Sequence, residues 1–155
     1  MVIGLNHAGV VVKDLEKTVT FYRDVIGLEV MERLDRTGPE IDQVVGYENS
    51  RLLIAKMNAP GEDHLVELIQ YASPEPLQRH SEERSQIGAS HIAFFVDDIN
   101  DKFNAIIILI YFYSSLVPSK TSSYSKRRNG HQEFRFNEDY GTIFKFSITV
   151  GRTKL

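Results

Sequence analysis

A short pattern occurs twice in this chain: a histidine, six intervening residues, an aspartate, and then Leu or Ile. His7 precedes Asp14 in the first copy, and His91 precedes Asp98 in the second, so both residues recur at the same offset along the chain. In each copy the apolar run after the histidine predicts a strand, and the aspartate predicts the N-cap of a helix. Two equivalent strands can bring two imidazoles together, and imidazole nitrogen binds zinc, nickel, copper and iron well. The repeat therefore predicts a metal site that uses His7 and His91.

A third candidate ligand is Glu67, the single acidic residue within an apolar segment. Because alternate residues of a strand share a face, its carboxylate is expected beside Leu65 and Ile69. A carboxylate buried there destabilises the fold unless it is paired or bound to a metal. Taken singly, each candidate has a more common explanation than metal binding: a hydrogen-bonded core histidine for His7 and His91, and a solvent-exposed glutamate for Glu67. Together they predict that His7, Glu67 and His91 bind one divalent ion, which could be Zn, Ni, Co, Mn or Fe.

The remaining histidines do not fit this pattern. His64 lies at odd spacing from Glu67, His80 lies in a polar connector, and His131 lies in a glycine-containing turn, so all three are predicted at the surface. The chain has no cysteine, which excludes thiolate ligands, cysteine nucleophiles and disulfides. A chain without disulfides is compatible with a reducing compartment, and we expect a cytoplasmic location.

Composition narrows the classes of partner. The 155 residues, 42% of them hydrophobic, suit one domain or two small fused modules. A net charge of −3 leaves no basic surface for nucleic acid, and the basic run at residues 126–128 is expected to be a solvated loop. The N-terminus lacks the features of a signal peptide. The most apolar stretch, residues 105–113, is about half of the ~20 residues that a membrane span needs. We therefore expect a small-molecule partner and neither nucleic acid nor membrane.

The first half of the chain, residues 1–72, is predicted to form a β-α-β-β-β module. The helix should begin after Asp14 and end at Gly27, because glycine adopts the left-handed conformation that closes a helix. Five segments have strand character, one more than a β-α-β-β-β module contains: residues 5–12, 28–34, 43–47, 51–57 and 64–71.

The second half repeats the opening of the first but is less regular. A polar connector covers residues 73–85, and the second module covers residues 86–155. A strand over 90–96 precedes a helix capped by Asp98. The apolar run at residues 106–113 lacks the amphipathic pattern of a surface helix, and residues 118–129 are expected to be loose or partly disordered. Strands are predicted again at 133–136 and 142–150.

The chain resembles the vicinal-oxygen-chelate superfamily, which includes glyoxalases, methylmalonyl-CoA epimerases, extradiol dioxygenases and fosfomycin or bleomycin resistance proteins. The resemblance covers residues 3–104, and its matching runs are 5–10, 14–17, 21–30, 66–68 and 91–99. It implies an α+β fold of two βαβββ modules that form a glyoxalase-like half-barrel around a divalent metal. It also implies a homodimer, since the resembling families often form one.

The resemblance further implies a fourth ligand, a glutamate near the end of the chain. Lys145 falls where that glutamate belongs, and a lysine ammonium has no lone pair for a cation. Glu133, Glu138 or Asp139 could substitute only with a shifted strand register. If Lys145 occupies the ligand position, Lys145→Glu should raise the affinity for metal.

Three functions follow from the resemblance and the candidate ligands. The first is a metal-dependent lyase or isomerase of glyoxalase or epimerase type, acting on a small carbonyl or thioester substrate, with Glu67 as catalytic residue. The second is a ring-cleaving dioxygenase-like protein that holds iron(II) with two histidines and one carboxylate. The third is a non-enzymatic, resistance-type module that sequesters a small molecule.

Overall fold

Two four-stranded sheets, one in each half of the chain, form the described part of the fold. The computed structural model describes residues 1–77, 87, 92–96, 98, 101, 104, 123–126, 132–135 and 145–150. The chain divides into two compact units, Met1–Gln78 and Arg79–Leu155, and their boundary falls within the connector expected at residues 73–85. The two mixed sheets and the helices beside them confirm the predicted α+β class.

The first unit has the predicted βαβββ order of strands and main helix. Its strands form one sheet in the order β1-β4-β3-β2, in which β1 and β4 are parallel and the other pairs are antiparallel. The elements in chain order are β1 (His7–Val11), α1 (Leu15–Phe21), a π-helical turn (Tyr22–Ile26), β2 (Glu29–Thr37), α2 (Pro39–Val45), β3 (Arg51–Asn58) and β4 (Leu65–Ser73).

Both ends of the first helical segment lie where local signals placed them. The Asp14 carboxylate accepts the N–H of Lys17 at 3.0 Å, which satisfies one of the free donors in the first turn. At the other end Gly27 has φ 91° and donates its N–H to the Tyr22 carbonyl at 3.0 Å. The predicted N-cap and the predicted stop at glycine are confirmed.

The strand predicted at residues 43–47 is wrong, because that segment belongs to α2. Pro39 occupies the first turn, where a missing N–H costs nothing, and Gly46 ends the helix at φ 78°. The Asp42 carboxylate then accepts the N–H of Ser50 at 2.8 Å and ties the helix to the following turn. These signals outweigh the strand preference of two adjacent valines.

One face of the first sheet packs against α1, and we call it the helix face. The Leu15 N–H donates to Gln70 Oε1 at 2.7 Å, which joins the start of α1 to β4 on this face. Burial in this unit raises the pKa of the Tyr22 phenol. The buried apolar residues are Val12, Leu15, Val19, Tyr22, Val25, Leu28, Leu52, Ile54, Ala55, Met57, Val66 and Leu68.

The second unit repeats the sheet of the first. Its strands β5 (Ile92–Val96), β6 (Ser123–Lys126), β7 (Gln132–Arg135) and β8 (Lys145–Val150) pair in the order β5-β8-β7-β6. Again the first and last strands in the chain are parallel, and the other pairs are antiparallel. Strand order and strand direction are thus the same in both units.

The helix cap is also repeated in the second unit, since the Asp98 carboxylate accepts the N–H of Asp101 at 3.1 Å. The strand β6 contradicts the expectation of a loose segment at its four residues, within 118–129. The apolar run at 106–113 lies outside the described residues. Among the helices that the structure describes, none is long and apolar enough to cross a membrane.

Candidate metal site

The alternation of β1 directs His7 away from the helix face. His7, Gly9 and Val11 are exposed, whereas Ala8 and Val10 between them are less so. This is the side-chain alternation of a strand with one face packed against a helix. We call the opposite side of the first sheet, which carries His7, the site face.

The parallel pairing of β1 with β4 brings Glu67 to the same face. Gly9 is the register partner of Glu67, so Glu67 lies diagonally across from His7. His7 Nε2 and Glu67 Oε1 are 3.9 Å apart, with the side chains 42% and 14% exposed respectively. Two of the three predicted ligands therefore lie together, and one of them is a largely buried carboxylate. The third, His91, lies outside the described residues.

The side chain of Asn6 contacts one ring nitrogen of His7, and the other ring nitrogen lies toward Glu67. His7 Nδ1 lies 2.8 Å from Asn6 Oδ1, and a carbonyl oxygen can only accept a hydrogen bond. In the neutral imidazole this contact favours the tautomer with the proton on Nδ1 and the lone pair on Nε2. A metal-binding histidine is usually oriented in this way, by a hydrogen bond from its other nitrogen.

The distance between His7 and Glu67 suits a bridging cation better than a direct bond. At 3.9 Å the two atoms are beyond the usual hydrogen-bond range of ~2.7–3.2 Å. Two ligand atoms bound ~2.1 Å from one tetrahedral ion lie ~3.4 Å apart, so a small rotation of either side chain would bring both atoms to ligand distance. A nitrogen lone pair and a carboxylate oxygen that face each other at this distance are a suitable donor pair for a divalent metal.

The adjacent lysine does not neutralise Glu67. Lys56 is the register partner of Glu67 on β3, but its Nζ donates to Glu32 Oε2 on β2 at 2.8 Å. This hydrogen bond holds the pKa of Glu32 below its usual range. Among the described residues, His7 carries the one basic nitrogen within ion-pair distance of the Glu67 carboxylate.

Sequence reasoning missed both Asn6 and Lys56. Asn6 could have been found, because a residue next to a candidate ligand is an obvious candidate to orient it. Lys56 could not, because its position beside Glu67 depends on the register of β3 against β4. Within the described part of the chain no three His, Asp or Glu side chains form a cluster that could hold a metal, so the proposed third ligand comes from the repeat alone.

The other histidines are consistent with surface positions as far as the structure describes them. His64 is exposed, as predicted. His80 and His131 lie outside the described residues.

The register of the second sheet corrects the prediction for Lys145. Gly9 lies two residues after His7 and pairs with Glu67; Ala93 lies two residues after His91 and pairs with Ser147. The position equivalent to Glu67 is therefore Ser147, and Lys145 lies two residues before it. Of the proposed substitutes, Glu133 is the register partner of Ser147, while Glu138 and Asp139 lie outside the described residues.

Comparison with known sequences identifies one family. The family model described as "Glyoxalase/Bleomycin resistance protein/Dioxygenase superfamily" matches residues 4–107. The chain is also 29% identical over 97 residues to the uncharacterized protein YwbC of Bacillus subtilis. That match covers 61% of this chain and 62% of YwbC, so it spans less than two thirds of that relative.

Solved structures show the same fold. A glyoxalase family protein from Bacillus cereus matches with a TM-score of 0.74 at 17% identity, covering 97% of each chain. The fosfomycin resistance protein FosX from Listeria monocytogenes, complexed with Mn(II) and a sulfate ion, matches with a TM-score of 0.54 at 16% identity. In that case the match covers 99% of this chain and 97% of the other. Identities this low show the fold alone.

Proposed function

Since the chain belongs to the Glyoxalase/Bleomycin resistance protein/Dioxygenase superfamily, we propose that it is a metal-dependent lyase or isomerase of glyoxalase or epimerase type. Its substrate would be a small carbonyl compound or thioester. The observation that carries the proposal is the 3.9 Å approach of His7 Nε2 to Glu67 Oε1 on one sheet face. His91, equivalent to His7 in the second unit by the sequence repeat, is the proposed third ligand. Mn(II) in FosX supports the use of a divalent metal, whose identity here could be Zn, Ni, Co, Mn or Fe.

Each residue of the site has a distinct role in the proposed chemistry. A bound divalent metal would polarise the substrate carbonyl and stabilise the enolate that forms when the adjacent carbon loses a proton. Asn6 orients the imidazole by accepting the Nδ1 proton, so that Nε2 faces the site. Glu67 supplies a carboxylate on the same face, and we assign it the transfer of the substrate proton as well as metal binding.

Glu32 also lies on the site face, but its carboxylate is engaged by Lys56. The Lys56 ammonium donates to Glu32 at 2.8 Å and lowers the pKa of its carboxyl group. A carboxylate with a lowered pKa takes up a proton less readily. The Lys56 bond therefore engages Glu32, whereas among the described residues the basic partner of Glu67 is His7.

A non-enzymatic binding module is the second candidate. It is favoured by Ser147 at the position equivalent to Glu67, because a serine hydroxyl is not a general base at neutral pH without an activating partner. Such a module would bind a small molecule on the site face without turning it over.

Metal content and proton exchange together test the proposed function. Elemental analysis of the purified protein should find one divalent ion per chain, and His91→Ala should abolish binding. The metal-loaded protein should exchange a proton with deuterium in solvent at the carbon beside the carbonyl of an acyl-CoA or a hemithioacetal, and chelation should stop the exchange. Metal bound without exchange would favour the binding module, and oxygen uptake with a catechol would favour the dioxygenase. Unchanged metal content in His91→Ala would exclude the assigned third ligand.

We also propose that the protein forms a homodimer. The strand β2 lies at an edge of the first sheet and exposes Met31 at 58%. Exposed strand edges are usually paired or covered, and a second copy of the chain could cover this one. Light scattering at micromolar concentration should give about twice the 17.7 kDa chain mass, and Met31→Lys should lower it. Leu77→Lys, at another exposed apolar residue, is the control. A monomeric mass for the unmodified chain would contradict the proposal.

The cytoplasmic location stays a prediction.

A further inference from the structure

Three charged side chains form a row across the site face of the first sheet. Glu32 on β2 is the register partner of Lys56 on β3, and Lys56 is the register partner of Glu67 on β4. Lys56 therefore lies between two carboxylates, one on each neighbouring strand. The Cβ atoms of such partners are ~4.5–5.5 Å apart, a distance that the flexible four-carbon stem of lysine can span. Either carboxylate is thus within reach of the Lys56 ammonium.

The ammonium of Lys56 is bound to Glu32. Its Nζ donates to Glu32 Oε2 at 2.8 Å, and both side chains are partly open to solvent, with 27% of Lys56 and 48% of Glu32 exposed. Ion pairs that are open to solvent contribute little to the stability of a fold. The main consequence of this pair is therefore where the positive charge of Lys56 lies, on the side of the row away from Glu67.

We infer that Glu32 is a positioning residue, which holds Lys56 away from Glu67 and so keeps the Glu67 carboxylate available to a metal ion. The inference rests on the proposed function, in which Glu67 binds a divalent metal. Without the Glu32 carboxylate, the remaining acidic register partner of Lys56 is Glu67. An ammonium bound there would occupy a carboxylate oxygen through its N–H donors and would repel a divalent cation.

Removal of the Glu32 charge in the full chain tests the inference. Glu32→Gln should lower the affinity for zinc and manganese by roughly 10-fold, the lower end of what residues around the ligands contribute to metal sites. Glu32→Asp keeps a carboxylate beside Lys56 and should restore most of the affinity. The matched control is Glu16→Gln, which removes the same charge from the ion pair of Glu16 with Arg33 on the helix face and should leave the affinity unchanged.

A second substitution separates the position of Lys56 from the direct effect of the lost charge. Lys56→Met removes the ammonium and keeps an unbranched side chain, and in this background Glu32→Gln should no longer change the affinity. Glu32 and Glu67 lie two strands apart, ~10 Å, which is about one Debye length at physiological ionic strength, so the direct attraction of Glu32 for the metal is largely screened. An equal loss with and without Lys56 would overturn the inference.

A crystal structure of metal-free Glu32→Gln separates this inference from the proposed function. Lys56 Nζ should then lie within ~4 Å of a Glu67 carboxylate oxygen, the limit of an ion pair. If the unmodified chain binds no metal and Lys56 makes this move, the proposed function fails while the exchange of partners stands. A Lys56 side chain that stays away from Glu67 in this variant would overturn the inference, whether or not the unmodified chain binds metal.

Discussion

Replacing His7 with alanine is expected to reduce the affinity for zinc, nickel or cobalt by about 100-fold or more, because loss of a ligand exceeds the ~10–100-fold cost of losing a residue that only orients one. Glu67→Gln should have a comparable effect, since it removes the negative charge of the other described donor. Both losses are measured by metal titration with calorimetry. The expectation follows from the 3.9 Å approach of His7 Nε2 to Glu67 Oε1, which a single cation can bridge.

Two further variants show whether the loss is specific to the site. His64→Ala removes an exposed histidine close in sequence to Glu67 and should leave metal affinity unchanged. Asn6→Ala removes the acceptor of the His7 Nδ1 proton and should weaken binding by ~10–100-fold. Asn6→Asp keeps an acceptor at that position and should restore most of the affinity. If His7→Ala and His64→Ala bind metal equally well, the assignment of His7 is wrong.

Leu68→Ala is expected to destabilise the protein by about 2–5 kcal/mol, as substitutions that open a cavity in a packed core do. Leu68 is fully buried next to Glu67 in β4, but on the helix face. Its register partner on β3 is the small residue Ala55, which cannot fill the space left behind. Urea unfolding followed by circular dichroism measures the change as a lower midpoint with an unchanged slope.

The control for Leu68 uses the same substitution at an exposed site. Leu77 is 90% exposed, and Leu77→Ala should change the free energy of unfolding by no more than about 0.5 kcal/mol. A loss below about 1 kcal/mol in Leu68→Ala would show that α1 and β4 are not packed together as described. Because Leu68 and Glu67 are adjacent on opposite faces of β4, such a result would also remove the support for the position of Glu67.

Local features of the sequence were enough to place the ends of the first helical segment. Asp14 and Gly27 act through hydrogen bonds to residues within five positions along the chain, so their effect can be predicted without knowing the fold. The segment at residues 43–47 carries equally local signals in Pro39 and Gly46, and the strand prediction failed because these two residues outweigh the strand preference of Val44 and Val45.

The sequence by itself determined the candidate ligands, because a repeated histidine and a lone glutamate among apolar residues are visible without a structure. It also determined the family, through the match over residues 4–107. Only the tertiary structure decided that His7 lies across from Glu67 and that Ser147, rather than Lys145, matches Glu67 in the second sheet. The physical reason is that a parallel pair joins segments far apart in the chain. A shift of such a pair by two residues keeps every side chain on its face and so leaves the apolar pattern unchanged. The difference between Lys145 and Ser147 is a shift of this size.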